Sequence, residues 1–251
     1  MGDVTLRMED SVAILIMDNP GRLNAISRNI RLKIQKYLSE LKDDPAVSGV
    51  VLTGAGTAFC AGGDLNEMML FDENTPWVAE FGELVVSVMS FPKPVVAAVN
   101  GVAAGGGFQL ALVCDTRLGH PGTRMGQPEV KRGLASITGS WFLRRSVGEL
   151  RARELTLSGR LMEAPELLSL GFLESLENPE DLLSSAIRKC RVFASSPSAS
   201  FIRTKQWLLD SMIEEFTAVL DDAARLHSQG FASGISQKGA AAFVQRADGD
   251  R

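Results

Sequence analysis

Three consecutive glycines, Gly105, Gly106 and Gly107, are the feature of this sequence with the clearest chemical potential. They stand between an apolar run typical of a strand and an apolar run typical of a helix. Glycine lets the backbone turn sharply and lets another molecule approach the main chain closely. The helix that follows directs its free N–H groups and its positive end at whatever lies over the glycines. This arrangement suits an oxygen atom that gains negative charge during a reaction.

Two polar side chains can act together with this backbone. Gln109 lies in the first turn of the predicted helix, and Glu129 follows Pro128 at the start of another predicted helix. The chain between them is long enough for a strand and two turns, which would bring the two side chains together. A carboxyl group can serve as a general acid or base, whereas an amide exchanges no proton at neutral pH. A glutamate at a helix start is also favoured by the helix dipole without any catalytic role.

A second loop, at 58–65, has the sequence Ala-Phe-Cys-Ala-Gly-Gly-Asp-Leu. Asp64 is suited to cap a helix, because its carboxylate accepts backbone N–H bonds. Ala61 is small enough for its N–H to face a ligand carbonyl group. Alone, this loop is equally typical of an ordinary turn between a strand and a helix. The glycine segment at 101–107 matches neither the phosphate-binding loop of nucleotide kinases nor the dinucleotide-binding fingerprint.

The elements that must position these residues alternate between strands and helices in the first half of the chain. Apolar β-branched runs predict strands at 12–17, 50–53 and 95–99, with two more flanking His120. Helical spacing predicts helices at 26–41, 77–91 and 108–113, and then at 140–157, 163–171, 179–195, 197–211, 214–230 and 234–246. The sequence therefore predicts an α/β core over 1–195 and a helical C-terminal region over 196–251.

Composition narrows the classes of partner. The chain has 251 residues and a net charge of −4, which argues against nucleic acid or an anionic membrane as the main partner. Its three cysteines fit reduced thiols, and no signal peptide or membrane span is visible, so we expect a cytoplasmic protein. Since no cysteines and histidines have ligand spacing, no metal is expected.

Taken together, the loop at 58–65, the glycine segment at 101–115 and the segment at 126–133 resemble the crotonase (enoyl-CoA hydratase/isomerase) superfamily. The resemblance extends over nearly the whole chain. It implies a spiral of ββα units whose helical C-terminal region forms homotrimers, often paired into hexamers. It also implies an acyl-CoA thioester as substrate, without a metal or a redox cofactor.

The resemblance also implies roles for individual residues. By the pattern of the superfamily, the N–H groups of Ala61 and Gly106 form an oxyanion hole for the thioester enolate. The residues that resemble the CoA-contacting segments are Arg22, Leu23, Ala25, Ala61, Gly62, Gly63, Asp64 and Leu65. Two such backbone donors would stabilise the enolate by roughly 3–4 kcal/mol each.

The sequence departs from hydratases of the superfamily, which use two glutamates. Glu129 retains one of them, but the other position is Gln109. This combination, together with Trp77 and His227, resembles the carboxymethylproline synthases, which decarboxylate malonyl-CoA and add the enolate to a cyclic imine. By that resemblance, Gln109 holds the malonyl carboxylate, Glu129 orients the electrophile or a water, and Trp77 and His227 wall the pocket of a second small molecule.

The sequence thus predicts malonyl-CoA decarboxylation coupled to C–C bond formation. One alternative is an enoyl-CoA isomerase or hydratase-like enzyme that uses Glu129 alone. The other is a non-catalytic acyl-CoA-binding protein, in which Gln109 marks lost activity. Trp77 at the start of a helix is more typical of core packing than of a pocket wall, and His227 is as typical of a surface or interface position as of a site.

Overall fold

The computed structural model describes residues 2–196 and 198–249. Its first half repeats a strand–strand–helix unit: β1 Asp3–Glu9, β2 Val12–Asp18, α1 Arg28–Leu41, β3 Gly49–Gly54, β4 Ala58–Cys60, α2 Leu65–Met68, α3 Trp77–Met89, β5 Val95–Ala98, β6 Val102–Ala104, α4 Gly106–Leu112, β7 Thr116–Gly119, β8 Arg124–Gly126 and α5 Ile137–Ser158. The remaining elements are β9 Leu161–Glu163, α6 Ala164–Ser169, β10 Ser175–Leu176, α7 Leu182–Ala194, α8 Ser198–Ala232 and α9 Ile235–Gly249. Two 3-10 turns cover Pro20–Arg22 and Glu129–Arg132.

The strands form two sheets. One sheet has the order β1-β2-β3-β5-β7-β10, and the other has the order β4-β6-β8-β9. The units β3–β4, β5–β6 and β7–β8 therefore each contribute one strand to each sheet before a helix follows. This arrangement confirms the predicted α/β class and the spiral of ββα units.

The strands β2, β3 and β5 of the first sheet are buried on both faces. Val12, Ala13, Ile14 and Leu15 of β2 are at most 1% exposed, although alternate residues point to opposite faces. Helices α1 and α3 pack on one face, and α7 packs on the other. Because these three neighbouring strands run parallel and are covered on both faces, they are continuous apolar runs in the sequence.

Two features of the fold differ from the sequence prediction. Strand β1 was not predicted, because most of its residues are polar and exposed at the edge of the sheet. The two helices predicted at 197–211 and 214–230 form one helix, α8, since no glycine or proline interrupts the chain between them. None of the described helices is apolar over a stretch long enough to cross a membrane.

Helix α8 is attached to the core by a buried ion pair. Lys205 is 7% exposed, and its Nζ donates to Asp115 Oδ2 at 2.8 Å and to the Lys93 carbonyl oxygen at 3.2 Å. Asp115 Oδ2 also accepts the N–H of Val95 at 2.7 Å. Further along α8, Phe216 is fully buried in the main hydrophobic core. The long helix is thus packed against the α/β core.

Candidate active site

Three neighbouring parallel strands of the second sheet place the candidate residues at one edge. Strands β4, β6 and β8 end at Cys60, Ala104 and Gly126, and their pairing is parallel. The carboxyl ends of parallel strands meet at the same edge of a sheet, where ligands of α/β proteins bind. The loop after β4, the glycine turn after β6 and the Glu129 segment after β8 consequently line one cavity.

The glycine turn has a backbone that requires glycine at one position. Gly105 has φ 56° and ψ −124°, outside the conformations open to other residues. Its N–H donates to the Gly126 carbonyl oxygen at 2.9 Å, and its own carbonyl accepts the N–H of Gln109 at 3.0 Å. Among the described residues, the N–H of Gly106 has no acceptor, and Gly106 lines the cavity. The predicted donor at Gly106 is therefore free to bind a ligand oxygen.

Helix α4 is also held at its other end. Arg117 Nη1 donates to the carbonyl oxygens of Leu112 at 3.2 Å and Cys114 at 3.0 Å, and its Nε donates to Phe172 at 2.7 Å. These bonds place a guanidinium at the C-terminus of α4, where a cation is favoured by the helix dipole. Both ends of the helix that carries Gly106 and Gln109 are thereby fixed.

The structure corrects the predicted donor on the loop after β4. The N–H of Ala61 donates to the Leu23 carbonyl oxygen at 2.9 Å, so it is not free for an oxyanion. Further bonds join the same two segments, from Ile26 N–H to the Gly62 carbonyl at 2.7 Å and from Asp64 N–H to the Ile26 carbonyl at 3.3 Å. Within the described part of the chain, the N–H of Gly63 has no acceptor, and Gly63 lines the cavity. The free donor beside Gly106 is therefore Gly63.

The segment opposite this loop depends on a buried asparagine. Leu23 and Asn24 have positive φ angles of 49° and 56°. Asn24 is fully buried, and its Nδ2 donates to the carbonyl oxygens of Ala55 and Ala58. This anchoring sets which carbonyl groups face the loop after β4.

Three of the predicted CoA-contacting residues lie outside the cavity lining. Arg22 is half exposed and pairs with Asp64 at 2.9 Å, Leu23 is 47% exposed, and Ala25 is buried. Asp64 is 3% exposed and also accepts the N–H of Asn66 as the cap of α2. All the other predicted site residues line the cavity: Ala61, Gly62, Gly63, Asp64, Leu65, Trp77, Gly106, Gln109, Glu129 and His227.

Glu129 has the electrostatic environment of an acid–base group. Its Oε2 is buried and has no hydrogen-bond partner. A methyl group placed on Gly105 would lie 2.6 Å from its Oε1, which locates the carboxyl group against the glycine turn. Burial raises the pKa of the Glu129 carboxyl to about 7. The group can therefore take up or release a proton near neutral pH.

Gln109 belongs to a buried amide network that was not predicted from the sequence. Its Nε2 is 3.4 Å from Oε1 of Gln127, which is fully buried. Gln127 Nε2 donates to the Gly105 carbonyl oxygen at 3.3 Å, and Ser136 Oγ donates to Gln127 Oε1 at 3.4 Å. Gln109 Oε1 is buried and has no partner. The adjacency of Gln127 to Pro128 and Glu129 was the only signal of its role in the sequence.

Aromatic rings close one end of the cavity. The rings of Trp77 and His227 are 4.8 Å apart in a T-shaped arrangement, and Phe71 and Phe231 pack against Trp77. Burial lowers the pKa of His227 to about 4, so the ring is neutral at pH 7. Trp77 Nε1 is buried without a partner. The structure thus brings together both residues that were predicted to wall the pocket.

Three charged residues at the cavity, Arg31, Glu67 and Arg132, were missed by the sequence analysis. Arg31 is 5% exposed and pairs with Glu80 at 2.8 Å, while burial raises the pKa of Glu67, which accepts the N–H of Arg28. Their helical positions resembled those of ordinary surface charges. Among the side chains that the structure describes, no three of His, Cys, Asp or Glu are grouped as a metal ion requires.

Comparisons with known proteins agree with this geometry. The family model for enoyl-CoA hydratase/isomerase matches residues 7–250. A probable enoyl-CoA hydratase of Mycobacterium bovis is 31% identical over 245 residues, which cover 97% of this chain and 95% of the relative. A short-chain-enoyl-CoA hydratase of Clostridium acetobutylicum is 30% identical over 252 residues, with 98% and 96% covered. The crystal structure of an enoyl-CoA hydratase/isomerase from Pseudoalteromonas atlantica has a TM-score of 0.87 at 26% identity, with 97% of each chain covered.

Proposed function

Since the chain belongs to the enoyl-CoA hydratase/isomerase family, we propose that it binds an acyl-CoA thioester and moves a proton along the acyl chain with Glu129 as its single acid–base group. This is the reaction of an enoyl-CoA isomerase. The observation that carries the proposal is the pairing of one buried carboxyl group of raised pKa with two free backbone N–H groups. The residue facing the same cavity from α4 is an amide, not a second carboxylate.

The proposed reaction follows from the positions of these groups. The thioester carbonyl oxygen accepts hydrogen bonds from the N–H groups of Gly63 and Gly106. The Glu129 carboxylate removes a proton from C2 of a 3-enoyl thioester, and the electron pair moves onto the carbonyl oxygen as a dienolate. Glu129 then returns the proton to C4, which leaves the double bond between C2 and C3. The two N–H groups stabilise the charged intermediate by roughly 3–4 kcal/mol each.

Hydration of a 2-enoyl thioester is the second candidate, because the relatives described above are named hydratases. Gln109 can orient a water through its unpartnered oxygen, but it cannot take a proton from that water. Glu129 would have to perform both proton transfers. The malonyl-CoA decarboxylation and C–C bond formation predicted from the sequence gain no support from these relatives.

A direct comparison of substrates tests the proposal. We expect the protein to isomerise trans-3-hexenoyl-CoA about 100-fold faster than it hydrates crotonyl-CoA, since hydration lacks one of its two acid–base groups. It should also exchange the C2 protons of butyryl-CoA in D₂O. Both reactions can be followed by absorbance and mass spectrometry.

Other outcomes separate the alternatives. Hydration faster than isomerisation would favour the second candidate, and release of CO₂ from malonyl-CoA would favour the synthase-like reaction. Binding of all four thioesters without turnover or exchange would identify an acyl-CoA-binding protein.

We further propose that the chain assembles as a homotrimer or as a pair of trimers. The support from this chain is an exposed apolar surface on α8, where Trp207 is 78% and Leu208 is 60% exposed. Such a surface is typical of protein contacts. We expect light scattering to give a mass of three or six chains, and Trp207→Lys to lower that mass. A monomer at micromolar concentration would contradict this proposal.

A further inference from the structure

The buried amide of Gln127 can adopt only one orientation. The Gly105 carbonyl oxygen is an acceptor without a hydrogen, so the group of Gln127 that lies 3.3 Å from it must be the donating Nε2. The other atom of the amide, Oε1, then faces Gln109 and Ser136. The backbone of the glycine turn thus determines the direction of this side chain.

The orientation of Gln127 determines that of Gln109. Oε1 of Gln127 is an acceptor, and a donor must face it across the 3.4 Å separation. A reversed Gln109 amide would place two acceptor oxygens against each other in a buried site, which is unfavourable. Gln109 consequently directs Nε2 toward Gln127 and leaves Oε1 as its unpartnered atom.

Gln109 lines the cavity, and Oε1 is the atom of its amide that is not engaged with Gln127. Gln109 is 4% exposed and lies one turn along α4 from the free N–H of Gly106. A group on the acyl chain close to the thioester carbonyl would come within reach of this oxygen. A hydroxyl group or a water can donate to it, whereas a carboxylate has no hydrogen to donate and would be repelled.

We propose that Gln127 is a positioning residue that determines specificity: by holding the Gln109 oxygen toward the cavity, it selects acyl-CoA thioesters that carry a hydroxyl donor near the thioester and disfavours those that carry a carboxylate. This inference rests on the proposed function, because it requires an acyl-CoA thioester in the cavity. It contrasts with the role predicted for Gln109 from the sequence, in which the amide holds a malonyl carboxylate.

Two thioesters with the same number of acyl carbons form the test. 3-Hydroxypropionyl-CoA and malonyl-CoA differ by a CH₂OH group against a carboxylate, and propionyl-CoA has neither. Dissociation constants are measured by calorimetry in Glu129→Gln protein, so that turnover does not consume the ligands and no carboxylate at 129 repels malonyl-CoA. We expect 3-hydroxypropionyl-CoA to bind more tightly than malonyl-CoA by a factor of ten or more.

Replacing Gln127 should remove this preference. In Gln127→Leu, the Gln109 amide is free to turn, and we expect the ratio of the two dissociation constants to fall by about tenfold while the affinity for propionyl-CoA stays within twofold. If the leucine variant does not fold, Gln127→Met replaces it, because methionine adapts to the same volume. In a Gln109→Ala background, Gln127→Leu should have no further effect on the ratio.

A matched control separates positioning from general destabilisation. Thr123 is fully buried, and its Oγ1 donates to the Val99 carbonyl oxygen at 2.9 Å, outside the cavity. Thr123→Val should lower thermal stability without changing the ratio. An unchanged ratio in Gln127→Leu, or an equal fall in the Gln109→Ala background, would overturn the inference. Failure of propionyl-CoA to bind at all would instead refute the proposed function.

Discussion

Glu129→Gln is expected to lower kcat for 3-enoyl-CoA isomerisation by about 10²- to 10⁴-fold, because it removes the only proposed acid–base group. The amide keeps the size of the side chain but exchanges no proton. In the unaltered protein, kcat/KM should rise with pH through about 7, as the Glu129 carboxyl loses its proton and becomes a base. The pH profile and the variant can be measured with the same absorbance assay.

The same substitution should stabilise the protein, but only at high pH. The pKa of Glu129 is about 7 in the folded protein and 4.5 at its ordinary value. Below pH 4.5 the carboxyl group is protonated in both states, so it causes no loss of stability. Between pH 4.5 and 7 the unfolded chain releases this proton more readily, and the folded state loses about 3 kcal/mol of stability. Glu129→Gln should recover up to this amount at pH 8 and none at pH 4.

Urea unfolding at the two pH values checks this prediction. Glu180 is exposed, and Glu180→Gln serves as the matched control. The control should leave kcat unchanged and alter the free energy of unfolding by less than about 0.5 kcal/mol. A Glu129→Gln variant that remains active, or that is destabilised at pH 8, would contradict the assigned role.

The second large effect is expected for Gly105→Ala. The backbone at this position has φ 56° and ψ −124°, and an alanine methyl group would lie 2.6 Å from Oε1 of Glu129. The substitution must therefore displace the carboxyl group or the turn that presents the Gly106 N–H. We expect kcat to fall by about 100-fold or more, since a displaced oxyanion donor alone has an effect of this size. Backbone strain should lower the free energy of unfolding by about 1–3 kcal/mol.

Gly171→Ala separates strain from displacement. Gly171 also has a positive φ, of 75°, but no atom lies within 4 Å of an added methyl group. This control should lose about 1 kcal/mol of stability and keep its full activity. Equal loss of kcat in both variants would mean that strain, not the contact with Glu129, explains the effect.

Much of the fold was predictable because the central strands of the first sheet are buried on both faces, so that nearly all their residues are apolar. The apolar runs at 12–17, 50–53 and 95–99 coincide with β2, β3 and β5. Strand β8 is one of the two strands that were predicted to flank His120. Strands β4 and β6, which also position the site, have three residues each and lie beside turns, so their apolar pattern is too short to predict. Strand β1 was not predicted because most of its residues are polar and exposed. It lies at the edge of the sheet, where one of its sides has no neighbouring strand.

The candidate site was predictable in its residue types but not in the directions of its atoms. The sequence indicated a donor loop at 61–65, yet the choice between the N–H groups of Ala61 and Gly63 depends on pairing with the Leu23 carbonyl group. That pairing is set by the backbone around Asn24, 37 residues away in sequence from Ala61. Similarly, the raised pKa of Glu129 results from burial, which no local motif specifies.

The bonds from Arg117 to the end of α4 have a consequence for the height of the reaction barrier. A solvent must rearrange its dipoles when charge develops on a solute, and this rearrangement is part of the activation free energy in water. In the proposed reaction, one of the two donors to the thioester carbonyl oxygen, the Gly106 N–H, belongs to a helix that is fixed at Gly126 on one side and by Arg117 on the other. The alignment of this N–H group is completed during folding, so we expect the proposed reaction to require little reorganisation energy.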